Sequence, residues 1–281
     1  MTKNNDNPKQ TLIPFFIITF LFSWFFWLIA VLASFDFFTL PINKIIFVGI
    51  GAHGPLVSAL WLTGRKDGWT GIKRLIRSGF DLRLSLYHWL LILLLPIVLA
   101  GLAVRLNMYM SPFHPDVTLL NNPLFILPVF LFMFFLGGSV QEEFGWRGFA
   151  LPRLLKKWNP LWAALFLGLI WGVWHFPLFY ISTLSQSYMN FGLFILLTLC
   201  FSLLMTHLYL QSDKNLFTAL LFHTAVNTSL SLFPPIEQKA GGNQHAFTLM
   251  TLFYILVTAV VIIKERKTFF KAKEAHHETV V

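Results

Sequence analysis

Glu142 and Glu143 stand side by side at the end of a long apolar run, in the string Phe134-Phe135-Leu136-Gly137-Gly138-Ser139-Val140-Gln141-Glu142-Glu143-Phe144-Gly145-Trp146-Arg147. A charged side chain at the centre of a bilayer costs roughly 2.5–3.5 kcal/mol on insertion scales. Two acids within an apolar segment therefore mark a functional site by default. On a helix Glu143 and Arg147 are four apart and share a face, with the acid N-terminal to the base, the better orientation for an ion pair. Glu142 points about 100° away from Glu143 and is left free for chemistry. The competing reading is that the trio caps a helix at the membrane interface with Arg147 snorkelling, although one glutamate would suffice for that pairing.

Three further polar groups interrupt the apolar background. His175 lies in Trp171-Gly172-Val173-Trp174-His175-Phe176-Pro177. Trp171, four residues earlier, shares its face and can buttress the imidazole; Pro177 weakens the helix and can open backbone to a cavity. His223 and Asn227 are four apart on one helical face, a stripe that must meet protein or water rather than lipid. Gly51, Gly54, Pro55 and Ala59 surround His53 and permit close helix approach. For each group the alternative to chemistry is packing between helices, and for His53 packing is the favoured reading. The chain has no His-Glu-x-x-His string, no Gly-x-Ser-x-Gly elbow and no pair of aspartates within its apolar runs. A nucleophile would then be a water, which a glutamate and a histidine are suited to activate.

These residues need helices in a membrane to position them. Of the 281 residues 56% are hydrophobic and only 12% charged, against about 25% charged in soluble domains, so the chain reads as an integral membrane protein. Eight apolar runs approach the roughly 20 residues of a spanning helix, at about 11–34, 42–62, 86–105, 123–147, 160–181, 191–210, 216–232 and 246–263. The expected fold is an all-α, polytopic bundle of about eight transmembrane helices, with one domain over 1–263, a motif core at about 42–232, and a basic, disordered tail over 264–281. The first run is too long for a cleavable signal core and reads as the first span. If odd-numbered spans enter from the cytoplasm, all of the 21 lysines and arginines except Lys44, Arg105 and Lys239 fall inside, and both termini are cytoplasmic. The net charge of +9 is thus topological, and nucleic acid is not an expected partner. Residues 71–77 read either as an amphipathic surface helix or as a basic loop. His276, His277 and Glu278 read as part of a solvated tail. The single cysteine, Cys200, excludes an intramolecular disulfide.

Taken together, the motifs resemble the CAAX protease and bacteriocin-processing family, the family of type II CAAX prenyl endopeptidases. Its Glu-Glu-x-x-x-Arg pattern matches Glu142, Glu143 and Arg147. Its Phe-x-x-x-His pattern matches Trp171 and His175, with Trp replacing Phe. Its His-x-x-x-Asn pattern matches His223 and Asn227, and its Gly-x-x-x-Pro-x-x-x-Ala pattern matches Gly51, Pro55 and Ala59. The resemblance implies an intramembrane endopeptidase in which Glu142 is the general base and His175 helps to orient and deprotonate the water. It implies that His223 and Asn227 stabilise the oxyanion, while Glu143 and Arg147 brace the site with Trp171. The implied substrate is a membrane-associated peptide, prenylated or bacteriocin-related, and the implied location is a prokaryotic plasma membrane. No cofactor is expected; were zinc present, Glu142, His175 and His223 would be its ligands. Two other classes remain open from the residues: a non-catalytic bacteriocin-immunity or scaffold protein, and an ion-coupled transporter using the same polar groups.

The spans pose one problem of depth. If the fourth ends at Arg147 and the fifth starts at Pro160, Glu142 lies about 8 Å and His175 about 22 Å from the same membrane face. A fifth helix that starts later, with residues 156–161 dipping inward, is the expected solution; tilt or the Pro177 break is the other.

Overall fold

In a computed structural model that describes residues 8–111, 117–236 and 244–271, the chain is an all-α helical bundle, with no strand among the described residues. Seven helical stretches are long and apolar enough to cross a bilayer. The helices are α1 (Pro8–Ser34), α2 (Ile45–Ala52), α3 (Gly54–Ser78), α4 (Leu86–Met110), α5 (Thr118–Asn121), α6 (Ile126–Phe135), α7 (Ser139–Gly145), α8 (Leu151–Leu155), α9 (Pro160–Trp174), α10 (Phe191–Gln211), α11 (Leu216–Leu232), α12 (His245–Lys264) and α13 (Arg266–Phe269).

The seventh expected span is α11, only 17 residues long. It packs against α4, α6, α7 and α10, and all of its residues except Asn227, Leu230 and Ser231 are buried. A helix enclosed by other helices faces little lipid, so small and polar residues such as Thr218, His223, Thr224, Thr228 and Ser229 are tolerated along it. Asn215 fixes its start: Oδ1 accepts from Phe217 N, and Nδ2 donates to the Asp81 carbonyl.

The fourth span departs from the continuous helix expected over 123–147. After α6 the chain breaks at residues 136–138, where Gly138 takes φ +113°, a region open to glycine at little cost. It resumes as α7, passes through a π-helical turn at Trp146–Ala150, and continues into α8 as far as Leu155. The second expected span is also interrupted, at His53 between α2 and α3. There Nδ1 of His53 lies 2.8 Å from the Gly49 carbonyl, which accords with packing. Gly68, at φ +62°, kinks α3; the helix continues beyond it through residues 71–77.

The later start of the fifth helix is not found. α9 begins at Pro160, because Asn159 caps it with a bond to Trp162 N at 3.0 Å and proline suits the first helical position. The depths agree for another reason: α7, the π turn and α8 run on past Arg147. Counted from the short turn at residues 156–159, Glu142 lies about 20 Å back along one arm and His175 about 22 Å along the other. Past residue 263, α12 ends at Lys264 and α13 follows over Arg266–Phe269. Phe269 of α13 is fully buried beside Ala164 and Leu203, because a large apolar ring near the end of the last helix can fill the gap beside α9. His276, His277 and Glu278 lie outside the described residues.

Candidate active site

Glu142 and Glu143 both sit in α7 but have different surroundings. Glu143 and Arg147 are fully buried, with Arg147 Nη1 donating to Glu143 Oε1 at 3.0 Å. The i, i+4 pair read from the sequence is therefore present. The same oxygen accepts from His223 Nδ1 at 2.8 Å, a contact between residues far apart in the chain that spacing alone could not reveal. Glu142 keeps 7% of its side chain exposed and His175 11%, with Glu142 Oε2 4.0 Å from His175 Nε2.

His175 closes the C-terminal end of α9, followed by a 3-10 turn over Phe176–Tyr180. Its Nδ1 lies 2.8 Å from the Trp171 carbonyl. A carbonyl oxygen only accepts, so Nδ1 carries the proton and the neutral ring presents a lone pair at Nε2, toward Glu142. By the same argument His223 directs Nδ1–H at the Glu143 carboxylate, leaving Nε2 for the site. Trp174 and Phe194 pack edge-on against the His175 ring at 4.7 and 5.2 Å, and Trp27 from α1 stacks over it at 6.3 Å.

Trp171 does more than buttress His175. Its ring stands edge-on to both His175 and His223, at 5.8 and 5.5 Å. Its indole Nε1 donates to Glu142 Oε2 at 2.6 Å. The Arg147 guanidinium lies 4.5 Å above the indole, within cation–π range. Asn227 donates from Nδ2 to the Gly137 carbonyl at 2.7 Å, which ties α11 to the break before α7 and leaves its second amide hydrogen for another acceptor.

The break is braced by a residue the sequence reading passed over. Gln141 Oε1 accepts from Gly138 N at 2.6 Å, and its Nε2 donates to the Leu136 carbonyl at 3.1 Å. A buried glutamine three residues after a Gly-Gly pair was its signal. Gly138 borders the site directly: a Cβ there would lie 2.8 Å from Glu142 Oε1 and 3.3 Å from His223 Nε2. Gly145 lets α7 meet α3, since a Cβ would fall 2.5 Å from the Pro55 carbonyl; Pro55, Gly51 and Ala59 therefore serve helix packing. Among the described residues no group of three or more His, Cys, Asp or Glu side chains is gathered to hold a metal ion, and the zinc set Glu142, His175 and His223 is not such a group.

Residues 123–229, which carry Glu142, Glu143, Arg147, Trp171, His175, His223 and Asn227, match the model of the type II CAAX prenyl endopeptidase Rce1-like family. A CAAX prenyl protease 2 of Methanococcus maripaludis is 25% identical to the chain over 277 residues, which cover 94% of this chain and 96% of that protein. The similarity to that relative thus runs through nearly the whole bundle. The apolar spans make it an integral membrane protein.

Proposed function

We propose that the chain is an intramembrane endopeptidase that hydrolyses a peptide bond in a membrane-associated substrate of the prenylated CAAX type. The observation that carries this reading is the approach of Glu142 Oε2 to His175 Nε2 at 4.0 Å. Two acceptors at that separation can both be bonded by one water at ordinary hydrogen-bond lengths. In this scheme Glu142 takes a proton from the water as its oxygen attacks the scissile carbonyl, while His175 accepts the water's other hydrogen and aims its lone pair. The developing oxyanion receives hydrogen bonds from the second amide hydrogen of Asn227 and from the Nε2 side of His223, whose ring Glu143 holds through Nδ1. Glu142 then passes its proton to the leaving amine, which restores the carboxylate. Arg147 holds Glu143 in place through its 3.0 Å bond. The site opens to the cytoplasmic side of a prokaryotic plasma membrane, the side on which both termini lie.

This scheme needs no metal. The purified protein, reconstituted in liposomes, is expected to cleave a prenylated CAAX reporter peptide and to yield products differing from the intact peptide by one water, read by mass spectrometry. Dialysis against a strong chelator is expected to leave that rate unchanged. Loss of activity on dialysis, with recovery on adding zinc, would contradict the metal-free scheme. Ion flux that depends on Glu142 and His175 without any cleavage would instead favour a transporter.

A further inference from the structure

We infer that Trp171 is the positioning residue of the general base: its indole N–H fixes the Glu142 carboxylate while its main-chain carbonyl fixes His175, so one residue sets both members of the water-activating pair. The inference rests on the endopeptidase reading and goes beyond it, because the resemblance gives this position only an aromatic ring. The Phe-x-x-x-His pattern has phenylalanine here, which could fill the same space but has no donor. The bond from Nε1 to Glu142 Oε2 is 2.6 Å long, short for an N–H donor. Trp171 is 4% exposed, so its indole N–H has little bulk water to turn to in place of Glu142.

The indole is itself held. Arg147 covers it from 4.5 Å, and the rings of His175 and His223 meet it edge-on. The donor is thus pre-aligned rather than free to rotate, and Glu142 gives up little rotamer freedom when it reacts. Fixing Oε2 fixes Oε1 as well, because the carboxylate is planar. Oε1 then faces the space at Gly138, where an added Cβ would lie 2.8 Å from it and 3.3 Å from His223 Nε2. Without the indole hydrogen bond the carboxylate could turn in that space and lose its alignment with His175.

The test is the purified full-length chain with Trp171→Phe, assayed on the prenylated reporter peptide beside the parent and Glu142→Ala. Loss of one hydrogen bond to a charged group is expected to lower kcat on the order of 10- to 100-fold. KM is expected to stay within about twofold, since the bond acts on chemistry rather than on substrate binding. Benzothienylalanine incorporated at 171 keeps the bicyclic shape and removes only the N–H, and it is expected to reproduce the loss even if the phenylalanine variant folds poorly. An unchanged kcat with benzothienylalanine, or with a folded Trp171→Phe, would overturn the inference. Should Glu142→Ala cleave at the parent's rate, the endopeptidase mechanism itself fails; an inactive Glu142→Ala beside an unimpaired Trp171→Phe removes the positioning role alone.

Discussion

Arg147 is fully buried, with its ion pair to Glu143 and the indole of Trp171 beneath it. Removing one partner of a buried pair leaves an uncompensated charge and typically costs 3–5 kcal/mol, about. Arg147→Ala is therefore expected to lower the unfolding temperature of the detergent-purified protein sharply. Arg147→Lys keeps the charge but not the flat stacking on Trp171, and an intermediate loss is expected in the same thermal scan. His223 depends on the same acid through its 2.8 Å contact. Glu143→Gln is thus expected to reduce kcat on the order of 10²- to 10³-fold, the scale of one lost oxyanion donor, even where the protein still folds. Retention of the parent kcat would detach His223 from the oxyanion.

At the scale of elements, the site is built by a break and a hairpin. The break before α7 turns on Gly138, whose φ of +113° disfavours any residue with a Cβ by roughly 1–2 kcal/mol. Gly138→Ala is expected to lower stability by about that amount and to lower activity further, because the methyl would press on Glu142 Oε1. Parallel unfolding scans and rate measurements separate the two effects. This is also where the sequence was least legible. The run from Phe134 to Arg147 reads as one helix because hydropathy does not register a break inside an apolar stretch, and the π turn at Trp146–Ala150 has no sequence signature. The pairing of Glu143 with Arg147 was legible because it is local to one helix face. The bonds from His223 to Glu143 and from Trp171 to Glu142 were not, since they depend on how separate helices meet. The hairpin of α8 and α9, which brings Glu142 and His175 to one depth, became visible only once α8 was seen to run on to Leu155.

At the scale of the whole molecule, the basic residues decide which way the bundle sits in the membrane. If both termini are cytoplasmic, as that rule implies, a single-cysteine variant at exposed Ser78 is expected to resist a membrane-impermeant maleimide on intact cells, and one at exposed Asn121 to react. Cys200, which is buried, is replaced by serine in both. The reverse labelling pattern would invert the bundle and with it the side from which a substrate enters. The all-α fold and its apolar spans were legible from composition and run length, because a bilayer requires both; the enclosure of α11 was not, because burial by protein and burial by lipid call for similar side chains. In the proposed mechanism Glu142 and His175, brought together from α7 and the end of α9, activate one water for peptide hydrolysis. Its most direct measurement is the initial rate at which purified parent, Glu142→Ala and His175→Ala proteins cleave the prenylated CAAX reporter peptide. Cleavage by the parent is expected, with a fall on the order of 10²- to 10⁴-fold in each variant and unfolding temperatures near the parent's. Parental rates in both variants would contradict it.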